Sequence, residues 1–229
     1  MTMTFNKKQF LFLGIFAVLG FIALQIPFTQ LAGSNVKFTL FDFFGPMASG
    51  FLGTAPGVVA VFLMQVLNFL FHGAVVQDAG TIIHVFPMLA AAIYFGKKQT
   101  WHLAIPSLAI LAFIAHPIGR TVWYFSLYWL IPIVLHFLRD RSLLARSIGT
   151  AFMAHSVGGA LWIYAFDLPK TVWDGLLPVV AAERMLFALG IAGTYLVVNQ
   201  LLGFLVAKRG GVSFLTVNPR FLLRGTRMS

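Results

Sequence analysis

The chain contains no cysteine, which excludes a disulfide framework, a thiolate metal site and a thiol nucleophile. Charge is almost as scarce. Asp, Glu, Lys and Arg make up 10 % of its 229 residues, whereas a soluble domain carries about a quarter. Sequence signatures of common chemistries are missing too. No GxxxxGK[ST] is present, so these residues build no P-loop of their own, and no GxSxG, HExxH or glycine-rich dinucleotide turn stands out. No long linker, low-complexity stretch or internal repeat divides the sequence, so residues 1–229 read as a single domain.

What is present is apolar: 59 % of the residues are hydrophobic. They fall into about eight runs, roughly 9–32, 41–53, 56–73, 81–96, 101–117, 121–138, 147–166 and 179–207, set against the ~20 residues that cross a bilayer upright. The expectation is an all-α, polytopic integral membrane bundle of about eight transmembrane segments. A six-helix core with two re-entrant segments has the same parity. Lys7 and Lys8 ahead of the first run resemble a signal peptide, but no small-x-small cleavage site follows, so that run reads as a retained helix. The net charge of +10 does not point to nucleic acid, because the basic residues sit in short loops between apolar runs. With the N-terminus inside, Lys97, Lys98, Arg139, Arg141, Arg146, Lys208, Arg209 and a basic tail over 210–229 are cytoplasmic. Asp42, Asp78, Asp167, Asp174 and Glu183 gather at the outer side. This is the positive-inside pattern of a plasma (inner) membrane protein with both termini cytoplasmic.

Polar groups inside the apolar runs are the functional candidates, since an intramembrane polar side chain is costly unless it meets protein, water or ligand. Gln65, Asn68 and His72, at i, i+3 and i+7, share one face of the third run. His84 opens the fourth run, Glu183 and Arg184 open the eighth, and His155 lies near the middle of the seventh. Trp162, one face along from His155, either belongs to an interfacial aromatic belt or packs on a ligand. These groups suit a solute-binding cup of neutral hydrogen-bonding side chains. A metal or haem site is disfavoured, because no helix carries paired histidines, and no cofactor is expected. Gly14, Ala17, Gly20 and Ala23 recur every three residues along the first run, a small-residue face for close helix packing or for docking a separate membrane subunit.

The run FTLFDFFGPMASGFLGTAPGVVAVFLMQVLNFL from residue 38, followed by HVFPMLAAAIYFGKK (84–98), resembles the substrate-binding S components of energy-coupling factor (ECF) vitamin transporters. The shared features are a polar-aromatic approach with an Asp (Asp42), a Gly-rich helix, a Gly/Pro turn from Gly53 to Gly57, and a helix ending in Gly and basic residues. The resemblance implies a pocket in the outer half, capped by the loop between the first two helices, about 33–40. It also implies a small face on helix one that docks a transmembrane coupling subunit, with separate cytoplasmic ATPases. The cobalt and nickel members carry a histidine directly after the initiator Met, and this chain begins Met-Thr-Met-Thr.

The expected function is therefore a non-enzymatic, membrane-embedded binding and transport subunit for a small solute such as a vitamin or precursor, with lipid and coupling subunits as its partners. The alternatives are a scaffold membrane protein of the rod-shape type, or a membrane enzyme acting on lipid headgroups with Glu183 or His155 as acid or base.

Overall fold

The computed structural model describes residues 7–209 and 217–222; most of the expected basic tail lies outside the described residues. The fold is 78 % helical with 4 % strand, as the all-α reading requires, but the apolar runs are not eight uniform rods. Helix α1 (Lys7–Leu24) stops well short of 32. Pro27 is the reason, because a residue preceding proline is pushed out of the helical region. The chain turns instead into a two-stranded antiparallel hairpin, β1 (Pro27–Gln30) and β2 (Lys37–Thr39), pairing Thr29 with Phe38 and Gln30 with Lys37.

The second run breaks at Gly45-Pro46 into α2 (Phe41–Phe44), a 3-10 turn and α3 (Ala48–Leu52). Gly53, at φ +92°, then reverses the chain into α4 (Thr54–Phe71). Helices α5 (Ala79–Ile83) and α6 (Val85–Phe95) meet at His84. They are followed by α7 (Ala104–Ala115), α8 (Pro117–Thr121), a 3-10 stretch Trp123–Trp129 and α9 (Leu130–Leu135). The last two helices are the longest, α10 (Leu143–Phe166) and α11 (Lys170–Arg209). Helix α11 begins at Lys170 rather than 179, and at ~1.5 Å per residue its 40 residues run about 60 Å. Proline 178 lies inside it, where the missing N–H leaves the ladder one bond short.

Among the described residues, two helices are long and apolar enough to cross a bilayer: α4, and Lys170–Leu205 of α11. The eight expected spans are thus matched by length and composition at two helices, with shorter apolar helices over Ala79–Phe95, Thr100–Ala115 and Trp123–Leu135. Only 28 % and 33 % of the two long apolar windows is buried in the protein. Phe62, Leu63, Leu67 and Leu70 on α4 and Leu189, Val197 and Leu201 on α11 point outward.

Helix α10 is the central post, packed against α6, α7, α9 and α11. Two apolar cores flank it. One joins α1 to α4, α6 and α11 through Phe41, Met47, Phe51, Phe95 and Tyr195. The other joins α7, the 123–129 stretch, α10 and the start of α11 through Phe113, Phe125, Trp129 and Trp173.

The small face of α1 belongs to the first core, which corrects its reading as a docking surface. A Cβ on Gly20 would run into Met64, with Phe41 and Phe44 at 3.3 and 3.4 Å, and Ala17 and Ala23 pack on the same cluster. Gly14 alone of the four is exposed, with nothing within 4 Å of a Cβ.

Two arginines that the sequence assigns to a cytoplasmic loop are instead structural. Arg139 is 2 % exposed and donates to the Gly96 carbonyl at 2.5 Å; Arg146 donates to the carbonyls of Phe95 and Gly96. Both guanidiniums thus meet the electronegative C-terminal end of α6.

Candidate ligand-binding cavity

A cavity of about 240 Å³ opens between α6, α10 and α11, beneath the β1–β2 hairpin. That is room for a small-molecule ligand. Helix α10 makes the space. Gly158 and Gly159 face the cavity in succession, and a Cβ on Gly159 would lie 2.6 Å from the Trp129 ring. His155 and Trp162 stand on the same helix on either side of this pair and also line the cavity.

The chemistry of His155 is set by its neighbour. Trp129 Nε1–H donates to His155 Nδ1 at 3.0 Å. An indole nitrogen only donates, so Nδ1 must be the acceptor. The neutral ring therefore carries its proton on Nε2, and the structure records no partner for that N–H among the described residues. His155 thus offers the cavity a donor of fixed tautomer.

An ionic edge faces it. Glu183 and Arg184 lie together at the cavity wall, and Arg184 Nη2 donates to Glu183 Oε2 at 3.1 Å. Neighbouring helical residues diverge by about 100°, yet these two long side chains bend back onto each other. The Arg184 guanidinium is also enclosed by the Phe38 and Phe187 rings, at 4.7 and 4.3 Å from their centroids. Its Nε has no hydrogen-bond partner among the described residues. Asp42, 8 % exposed, uses Oδ2 to accept from the Thr39 N–H at 2.7 Å. Its Oδ1 stands 3.8 Å from His84 Nε2, a Coulombic separation longer than a hydrogen bond.

The hairpin is fastened over this space at three points. Trp162 Nε1–H donates to the Ala32 carbonyl at 2.9 Å, and Thr39 is held by Asp42. Beyond the rim, Asp78 caps α5 and accepts from Ser34 Oγ at 2.7 Å and Asn35 N–H at 3.0 Å. Desolvation pushes the Asp78 carboxyl up, but hydrogen bonds from Asn35, Ser34, Thr81 and Gly80 outweigh it and hold the group below the ordinary carboxylate range.

Of the residues singled out from sequence, His84, His155, Trp162 and Glu183 line this one cavity. Gln65, Asn68 and His72 do not, and their stripe is corrected to a helix-packing role. Asn68 Oδ1 accepts from Gln25 Nε2 at 2.7 Å, joining α1 to α4. Gln65 is buried with its amide turned to the Val61 carbonyl, and His72 Nδ1 bonds the Asn68 carbonyl at 2.8 Å. Of the three, only Asn68 reaches across to the end of α1; Gln65 and the exposed His72 bond carbonyls of their own helix.

Sequence reasoning named Arg184 among the polar candidates and Asp42 in the ECF-like approach without assigning either to the cup, although an ionisable group inside an apolar run is itself a signal. It also missed Trp173 and Phe125, for which no local signal exists. Among the described residues no group of three His, Asp or Glu side chains is arranged to hold a metal ion. No family model, curated protein or solved structure matches the chain.

Proposed function

We propose that the chain is a polytopic membrane protein that binds a small solute in the cavity under the hairpin, as the substrate-binding subunit of an uptake system. The observation that carries this reading is the cavity itself: a half-open space lined by aromatic and aliphatic side chains, with a few polar groups among them, at one end of a helical bundle. Such sites are the usual form of small-molecule pockets. The membrane setting is supported by two long apolar helices whose windows are mostly unburied; a core helix of a soluble protein hides most of its surface. The shorter apolar helices pack alongside them and are embedded with them, which suits the ECF-like layout. With no P-loop in these 229 residues, energy for uptake comes from partner ATPase and coupling subunits at the plasma membrane.

The test is retention. The protein purified in mild detergent, then denatured, should release a small molecule detectable by mass spectrometry, and Trp162→Ala should lose it. Truncating an aromatic wall of a small-ligand site removes about 1–3 kcal/mol, or roughly 5- to 150-fold in affinity. A preparation that holds no solute, binds none from a cell extract and leaves cellular uptake unaffected on deletion would overturn the reading in favour of a scaffold role.

A further inference from the structure

The polar inventory of the cavity specifies the kind of solute it accepts. Two acidic side chains, Asp42 and Glu183, line the cavity against one guanidinium, Arg184. The guanidinium has one nitrogen bonded to Glu183 and is enclosed by Phe38 and Phe187 at 4.7 and 4.3 Å, while its Nε has no partner among the described residues. An anionic solute could reach that nitrogen only beside two carboxylates. Asp42 is more than nine-tenths buried, and its Oδ1 stands 3.8 Å from the His84 nitrogen, longer than a hydrogen bond. A carboxylate oxygen held in an apolar wall without a close donor calls for one, and donors delivered side by side satisfy it best.

Within a lining that is otherwise largely aliphatic, Trp162, Trp173, Phe125 and the His155 ring supply flat aromatic faces. They suit a planar ring. His155, with its proton fixed on Nε2 by Trp129, needs an acceptor on that ring.

Resting on the solute-binding reading above, we propose that the cavity selects a planar heteroaromatic base with an amidine-type edge. In such a base an amino group sits beside a ring N–H, and the edge pairs with Asp42 and Glu183. The ring lies among the tryptophans and presents an acceptor nitrogen to His155. Both carboxylates thereby gain charge-assisted hydrogen bonds from the N–H edge of the neutral base.

The experiment uses the full chain in lipid nanodiscs and three probes of one shape: 2-aminobenzimidazole, benzimidazole and indole-2-carboxylate. Binding is read by calorimetry for the wild type, Asp42→Asn and Glu183→Gln. The second variant guards against loss of the hairpin contact that Asp42 also makes. The amino base should bind at least tenfold tighter than either comparator, and each substitution should reduce that preference at least fivefold. If the carboxylate or the unsubstituted base binds as well, or the preference survives both substitutions, the solute class is wrong while the solute site stands. If no probe binds, the molecule released by denaturation decides. One with an amidine-type edge supports the class, one without it overturns the class, and the absence of any retained molecule overturns both the class and the site.

Discussion

At the residue scale, two adjacent glycines on α10 differ sharply in what they tolerate. Both line the cavity, but Gly159 is pressed against Trp129, whereas a Cβ on Gly158 would meet only Pro87, at 3.3 Å. Gly159→Ala should displace the indole, break its bond to His155 and cost about 1–3 kcal/mol through overpacking. Gly158→Ala should cost well under half of that. Thermal unfolding in detergent checks the order, and equal losses would mean that Trp129 is not wedged as described. Neither effect is legible in the sequence, where the two glycines are equivalent members of one small face. Which of them touches the indole depends on the rotation of α10 about its own axis.

At the element scale, the hairpin and α1 show how a reading of faces is settled by partners. Asp78 fastens the hairpin through Ser34 and Asn35 while capping α5. Its carboxyl is held below the ordinary range, so the folded state binds this proton less readily than the unfolded one. The stabilisation is therefore full above the unfolded pKa and is lost as pH falls through the lower folded value. The hairpin should remain fastened at neutral and mildly acidic pH and loosen only in strong acid. Asp78→Asn should speed amide exchange at 31–36 at neutral pH and remove that acid-dependent step; exchange unchanged at both pH values would exclude the latch.

Helix α1 gives a second contrast. Gly20→Leu should destabilise by about 1–3 kcal/mol because it drives a side chain into Met64 and the Phe41–Phe44 pair. Gly14→Leu, with open space around it, should leave the melting temperature unchanged. A similar loss from both would show that α1 is covered along its whole length.

At the scale of the molecule, the charge bias predicts that a reporter after Arg227 is cytoplasmic and that reporters near Asp78 and Lys170 are external. An external C-terminus would invert the cavity and remove the uptake reading. The hairpin over the cavity and Asp78 at its rim would then face the cytoplasm, where a solute from outside could not enter directly. Cysteine labelling suits this test, since the chain has no native cysteine.

The sequence by itself determined the helical class, because apolar runs with so few charges leave the backbone no other way to satisfy its hydrogen bonds in an apolar setting. It also determined that polar groups at 84, 155 and 183 are exceptional, since each costs free energy where it stands unless it finds a partner. Local breaks were readable where proline or glycine imposes them, as at Pro27 and Gly45-Pro46. Only the tertiary structure decided which exceptional groups share a space. Gln65, Asn68 and His72 have a stronger helical signature than His84, His155 and Glu183, yet none of them lines the cavity, and Asn68 is spent on Gln25. The second set converges from three helices, α6, α10 and α11, that are far apart in the chain. Periodicity reports which residues of one helix lie together; it carries no information on the rotation of that helix against its neighbours. That rotation is fixed by packing, here by the indole of Trp129 against Gly159 and by Met64 against Gly20.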